Sequence, residues 1–156
     1  MQINFYILSQ HHQLMTFVCQ LVQTALAKTD SSVLIVADSH ELTAIDDALW
    51  AFEPTAFIPH EIYQTENDSQ YAISPVLISD NHDFAKKFDG IVINLTATAL
   101  LNSHAEKILE IIDPNPAKTE QGRQKYRQYQ QYIQQVSQSF HQQHLSSITL
   151  KTFHIT

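Results

Sequence analysis

Histidine, cysteine and glycine are the residues that would give this chain metal, nucleophilic or nucleotide chemistry. It has nine histidines, one cysteine and two glycines. The histidines form no HExxH pattern and have no cysteine partners, so no metal site is predicted. Cys19 lies beside the apolar stripe of a predicted helix, which favours a packed thiol over a nucleophile. Gly90 and Gly122 alone build neither GxGxxG nor a P-loop, so no nucleotide or other cofactor is expected.

His60 is the nearest candidate for acid–base work, with a carboxylate as its partner. Asp46 and Asp47 are adjacent on a predicted helix, so their side chains point in different directions and do not form a catalytic pair. A small-molecule-binding or hydrolytic enzyme on a Rossmann-like fold is therefore the alternative function. His60 itself fits a turn residue with a satisfied ring better than a catalytic base.

A basic cluster with tyrosines stands out in an acidic protein of net charge -7. A face of one predicted helix combines Thr119, Arg123, Tyr126 and Gln130. Such a surface either is an ordinary solvated helix face or attracts an acidic peptide while it rejects other surfaces. Four of the nine lysines and arginines lie within ten residues, namely Lys118, Arg123, Lys125 and Arg127.

Residues 46–60 concentrate apolar area around Pro54 and Pro59, where a long helix cannot continue. The only tryptophan, Trp50, does not follow the helical spacing of the apolar residues at 45–52, and neither do Phe57 and Pro59. They either cover a sheet edge, which composition alone favours, or form a knuckle presented to a partner.

Apolar runs alternate with helical patterns along the chain. Strands are predicted at 3–8, 33–37, 75–79 and 91–95, and helices at 13–28, 40–50, 100–110 and from about Pro116, with Asn115 as its cap. Residues 61–71 are predicted to be a polar loop and 81–87 a further connection. This alternation predicts an α/β, Rossmann-like three-layer sandwich with a mostly parallel sheet and no Gly-rich nucleotide loop.

Length and composition fit one folded unit. The 156 residues, 44% of them apolar, predict a single α/β domain over 1–135 and a polar C-terminal extension over 136–156, which adds an edge strand or packs on the surface. No apolar stretch could cross a bilayer, no signal peptide is recognisable, and one cysteine fits a reducing, cytoplasmic setting. The negative charge disfavours direct binding to DNA phosphates.

Five segments resemble the chi subunit of bacterial DNA polymerase III holoenzyme. They occur in that family's order and span nearly the whole chain. They are NFYIL near the N-terminus, CQL in the first helix, IDDALWAFEPTAFIPH at 45–60, VINL at 92–95 and EIIDPNPAKTEQGRQKYRQY at 110–129.

The resemblance implies a non-catalytic accessory subunit of the clamp loader. Such a subunit links the psi subunit to the acidic, phenylalanine-ending C-terminal tail of single-stranded DNA-binding protein, and meets DNA only indirectly. By the family's RxxYxxY pattern, the resemblance implies that Arg123 and Tyr126 bind this tail. A neighbouring pocket that includes Ile112 would accept the ring of the tail's terminal phenylalanine. In the family a lysine lies four residues before the tail-binding arginine, a position that is Thr119 here. This sequence has Lys118 next to that position instead. The resemblance assigns psi contact to Trp50, Phe57 and Pro59.

Overall fold

One parallel sheet forms the centre of the molecule. A computed structural model describes residues 1–52, 58–63, 74–139 and 148–156. Within these ranges the strands follow the order β3-β4-β2-β5-β6-β1-β7, and each neighbouring pair is parallel. The strands are β1 (Gln2–Leu8), β2 (Val33–Val36), β3 (His60–Ile62), β4 (Val76–Ser79), β5 (Ile91–Asn94), β6 (Lys107–Ile112) and β7 (Thr149–Ile155).

Helices cover both faces of this sheet. The helices are α1 (Leu14–Lys28), α2 (Leu42–Ala51), α3 (His82–Lys87) and α4 (Pro116–Ser139). A short 3-10 helix (Ser39–Glu41) immediately precedes α2. Apolar residues of α1 and α2 pack on one face, while α3 and α4 pack on the other. The predicted α/β three-layer sandwich is confirmed. Across the described ranges, no helix has both the length and the apolar character needed to cross a bilayer.

The central strands explain why their sequences are apolar without alternation. Every residue of β2, β4 and β5 is buried, because helices cover a parallel sheet from both sides. Their side chains alternate between the two cores: Val33 and Ile35 face α1 and α2, whereas Leu34 and Val36 face the other layer.

The helix predicted over 100–110 is wrong. Residues 107–112 form β6, which pairs with β5 and β1, and five of its six residues are buried. Short apolar runs do not distinguish a buried strand from a buried helix by periodicity, and here tertiary pairing decides. Asn102 has a φ of 58°, a left-handed conformation that residues inside a right-handed α-helix do not adopt. A helix over 100–110 would have to pass through this residue.

Two predicted connections are also partly wrong. Residues 82–87 form α3, whose first turn is capped by Asn81: its side-chain oxygen accepts from the Phe84 N–H at 3.0 Å. In the predicted loop at 61–71, Glu61 and Ile62 belong to β3, and residues 64–71 lie outside the described part of the chain.

The long helix α4 begins as predicted. The Asn115 side chain accepts a hydrogen bond from the Ala117 N–H at 2.9 Å, and Pro116 occupies the first helical position. The helix continues to Ser139, and β7 then adds to the sheet parallel to β1. Residues 148–156 thus supply the sheet edge beside the N-terminal strand.

Gly90 is the glycine whose missing side chain the sheet requires. A Cβ there would overlap the Ser32 carbonyl oxygen, which accepts the hydrogen bond from the Ile91 N–H at 2.9 Å. We expect Gly90→Ala to lower the free energy of unfolding by about 1–3 kcal/mol, the usual cost of overpacking. Denaturant titration measures the loss, with the exposed neighbour Asp89→Ala as control. Equal stability of the two variants would contradict the prediction.

Candidate functional site

A cavity opens between α4 and the β6-β1-β7 end of the sheet. Its volume is about 430 Å³. Its floor is apolar, one wall is a face of α4, and the opposite wall is the edge strand β7. The floor consists of Phe5, Ile7 and Ile112, the helical wall of Thr119, Gly122, Arg123, Tyr126, Arg127 and Gln130, and the strand wall of Thr152 and His154.

Strand register builds the floor in rows. Ile7 on β1 pairs with Ile112 on β6 and with His154 on β7, so these three side chains form a row on one face of the sheet. The row below contains Phe5, flanked by Glu110 and Thr152. Local sequence gives the alternation within each strand, but only pairing brings residues 7, 112 and 154 together.

Gly122 lets α4 lie close to this floor. A Cβ at this position would stand 2.7 Å from Cδ1 of Ile112 and 3.1 Å from two more of its carbons. Aromatic contacts add to the close packing: the ring of Phe5 meets Tyr126 edge-on at a centroid distance of 5.2 Å and Tyr129 at 5.9 Å. The cavity therefore has an apolar, aromatic base directly beneath the helix.

Two arginines give the cavity its charge. Arg123 and Arg127 lie one helical turn apart on α4 and both line the opening. Arg123 Nη1 is 3.3 Å from an oxygen of Glu120, but both side chains are largely exposed, so this pair restrains the guanidinium weakly. Among the described residues, no carboxylate lines the cavity, whose chemistry is that of an anion receptor with an apolar floor.

A buried polar network fixes α4 on the sheet. Glu110 on β6 has no exposed surface and accepts from Lys125 Nζ at 2.6 Å, Tyr129 Oη at 2.7 Å and Asn94 Nδ2 at 2.8 Å. Burial raises the pKa of the Glu110 carboxyl, and the charge and hydrogen bond of Lys125 are the main effects opposing that rise.

The same network ties the helix to the turn after β5. Lys125 Nζ also donates to the Thr96 carbonyl at 2.7 Å, and the Tyr129 hydroxyl accepts from the Leu100 N–H at 3.0 Å. Burial, followed by the nearby Glu110 carboxylate, raises the pKa of Tyr129 well above that of a free phenol. The hydroxyl thus keeps its proton, and these directional contacts set the rotation of α4 that turns Arg123 and Tyr126 toward the cavity.

The structure brings together most of the residues predicted for tail binding. Ile112, Thr119, Arg123 and Tyr126 line the cavity, whereas Lys118 lines a separate, smaller cleft beside Asp113 and Lys125. Their role in binding stays a prediction.

Sequence reasoning did not assign several other lining residues to the site. Arg127 could have been found from its position four residues after Arg123 on the same helix. Phe5, Ile7, Thr152 and His154 carry no local signal, because strand pairing alone places them there.

The predicted knuckle lies at the other edge of the sheet. Trp50, in the last turn of α2, is 55% exposed, and its ring centroid is 4.8 Å from that of His60. Pro59 immediately precedes β3 and is partly buried. Phe57, the third residue predicted for psi contact, lies outside the described residues. The exposed tryptophan therefore borders β3, whereas the α4 cavity borders β7.

His60 does not fit the alternative role in catalysis. Its side chain has no exposed area, and Nδ1 lies 2.7 Å from the Ile58 carbonyl oxygen. Nε2 is 3.0 Å from Asp46 Oδ1, although the two groups are not aligned as a hydrogen bond. A buried ring held in this way under Trp50 supports the turn, and a substrate could not reach it.

One group of possible metal ligands occurs in the described part of the chain. Single ligand atoms of Asp38, His40 and Glu41 lie within 4.8 Å of one another after β2. Asp38 and His40 are exposed, and nothing else near them indicates an ion.

Comparison with known proteins identifies the family. A family model described as "DNA polymerase III chi subunit, HolC" matches residues 1–136. The chain belongs to the DNA polymerase III chi subunit family. It is also 26% identical over 110 residues to the DNA polymerase III subunit chi of Pseudomonas aeruginosa, covering 70% of this chain and 73% of that protein. Family membership places the chain in DNA replication, as an accessory subunit of the polymerase holoenzyme.

The chi family match covers only part of the candidate site. Every cavity residue of β1, β6 and α4 falls within residues 1–136, whereas Thr152 and His154 follow the matched region. One wall of the cavity in this chi-family chain is therefore built by a segment that the family model does not reach.

Proposed function

We propose that the chain is a non-catalytic adaptor of the clamp loader. It receives the acidic, phenylalanine-ending C-terminal tail of single-stranded DNA-binding protein in the α4 cavity. The observation that carries this proposal is one cavity that combines an apolar aromatic floor with two arginines and, within the described part of the chain, no lining carboxylate. Family membership supports the replicative setting.

The two chemical halves of such a tail match the two halves of the cavity. A terminal phenyl ring packs against Ile112 and Tyr126, where burial of a side chain of that size contributes about 1.5–3 kcal/mol. Carboxylates of the tail pair with Arg123 and Arg127 at the opening. Thr119 lines the cavity near the N-terminal end of α4. Lys118 lies in the neighbouring cleft and attracts the acidic tail from outside the cavity.

Binding to a phenylalanine-ending acidic peptide tests this function. We expect micromolar affinity in low salt by calorimetric titration, weakening as salt screens the arginines. Two control peptides divide the interaction: one lacks the last residue, and the other carries a C-terminal amide in place of the carboxylate. Absence of binding to the intact peptide in low salt would reject the proposed site.

The surface around Trp50 is the proposed contact for the psi subunit. Trp50 exposes more than half of its surface, although it packs against His60 on β3, and Pro59 immediately precedes His60 in the chain. The tail cavity is at the β7 edge, with five strands between it and the β3 edge, so both partners can bind at once. The adaptor thereby links psi to single-stranded DNA-binding protein and meets DNA only through that protein.

Trp50→Ala should weaken psi binding by about tenfold or more, because a large aromatic anchor is removed from the interface. Titration of purified psi into the protein measures the change. The affinity for the acidic peptide should stay the same, which makes the peptide an internal control for folding. Unchanged affinity of Trp50→Ala for psi would show that psi does not bind at this surface.

A further inference from the structure

His154 occupies the wall of the cavity that faces the arginines. It lies on β7, in the row formed with Ile7 and Ile112, while Arg123 and Arg127 approach from α4. The side chain is exposed, and no hydrogen bond or ion pair is formed by it with any described residue. An imidazole thus stands across the opening from two guanidinium groups, in a segment beyond the family match.

The surroundings of His154 contain cations and apolar groups. The charged groups that face it are Arg123 and Arg127 on α4; β1 and β6 contribute Ile7 and Ile112 at this level. Glu110 lies one row lower, enclosed by Lys125, Tyr129 and Asn94. On β7 itself, Lys151 and Phe153 point to the opposite face. The described lining of the cavity includes no Asp or Glu side chain that could pair with His154 in place of a ligand carboxylate.

We propose that His154 is a third contact for the carboxylates of the bound ligand, and that it makes binding dependent on pH. This inference rests on the proposed function. A carboxylate between the two walls meets arginine on one side and imidazole on the other. It interacts more favourably with the charged imidazolium, so binding takes up a proton, and affinity rises as the pH falls.

Peptide titrations at two pH values test the inference. The probe is the phenylalanine-ending acidic peptide, at equal ionic strength near pH 8 and near pH 6, where its carboxylates stay ionised. We expect the unaltered protein to bind about three- to tenfold more tightly at the lower pH, as one added charge-assisted contact would give. His154→Gln should bind equally at both values.

Two further variants make the assignment specific. His104→Gln removes an exposed histidine that does not line the cavity, and it should keep the full pH response. His154→Lys should bind tightly at both pH values, because its charge is permanent over this range. Circular dichroism checks that β7 substitutions leave the fold intact.

The outcomes distinguish a failure of the His154 inference from a failure of the proposed adaptor function. If the unaltered protein binds the peptide with the same affinity at both pH values, or if His154→Gln keeps the pH response, His154 is not the contact, while the adaptor function stands. If the unaltered protein fails to bind the peptide at either pH in low salt, both proposals are rejected.

Discussion

Lys125→Met should lower the free energy of unfolding by about 3–5 kcal/mol near neutral pH, the usual cost of leaving a buried charge without its partner. Lys125 Nζ lies 2.6 Å from Glu110, and the carboxylate is fully enclosed. The remaining donors, Tyr129 and Asn94, are neutral and cannot replace the ammonium. Denaturant titration measures the loss.

The pH dependence of this variant identifies the cause. Burial raises the pKa of Glu110 above 4.5, so between 4.5 and the raised value the folded protein holds a proton that the unfolded chain has lost. Stability therefore falls as pH rises through that window. Removing Lys125 raises the pKa further and extends the window upward. The deficit of Lys125→Met should be small near pH 4.5 and should grow toward neutral pH.

A double variant provides the control. Glu110→Gln combined with Lys125→Met removes both charges, so it should recover part of the stability and lose the pH-dependent deficit. A deficit in Lys125→Met that is equal at all pH values would show that lost packing, and not an unpaired carboxylate, causes the instability.

The double variant Arg123→Ala/Arg127→Ala should reduce affinity for the acidic peptide by about 100-fold, close to 3 kcal/mol. Each arginine alone should matter less, because the Arg123 side chain is 63% exposed and solvent screens part of its attraction. No other arginine or lysine among the described residues lines the cavity, so the double variant removes both of its permanent positive charges. The salt dependence of binding should flatten with the affinity, since screening acts on these pairs.

The matched control removes the same charge from the same layer of the molecule. Lys86 and Lys87 are exposed on α3, which packs on the face that also carries α4, and neither lines the cavity. Lys86→Ala/Lys87→Ala should therefore keep nearly full peptide affinity. Equal losses in the two double variants would mean that net charge, and not the cavity, attracts the peptide.

Local sequence was sufficient for much of the sheet and for one wall of the site. The buried runs at 33–36 and 91–94, the α1 stripe and the Asn115 cap are local signals, and each produced the expected element. The face of α4 was equally readable, because helical spacing places Thr119, Arg123 and Tyr126 together wherever the helix packs.

Tertiary structure decided the elements whose local signals are ambiguous. Residues 107–112 suit a strand or a helix equally by periodicity, and pairing between β5 and β1 selects the strand. Lys118 was predicted to take part in tail binding although the helical face with Arg123 did not include it, and the structure places Lys118 in a separate cleft.

The sequence by itself determined the family, the layered fold and the helical half of the site, since these follow from short-range patterns. Only the tertiary structure decided that Ile7, Ile112 and His154 form one row opposite the arginines. Ile7 is separated from Ile112 and from His154 by more than a hundred positions, and no periodicity within a strand records which strand lies beside it. Strand register, fixed by the burial of both sheet faces, supplied that information.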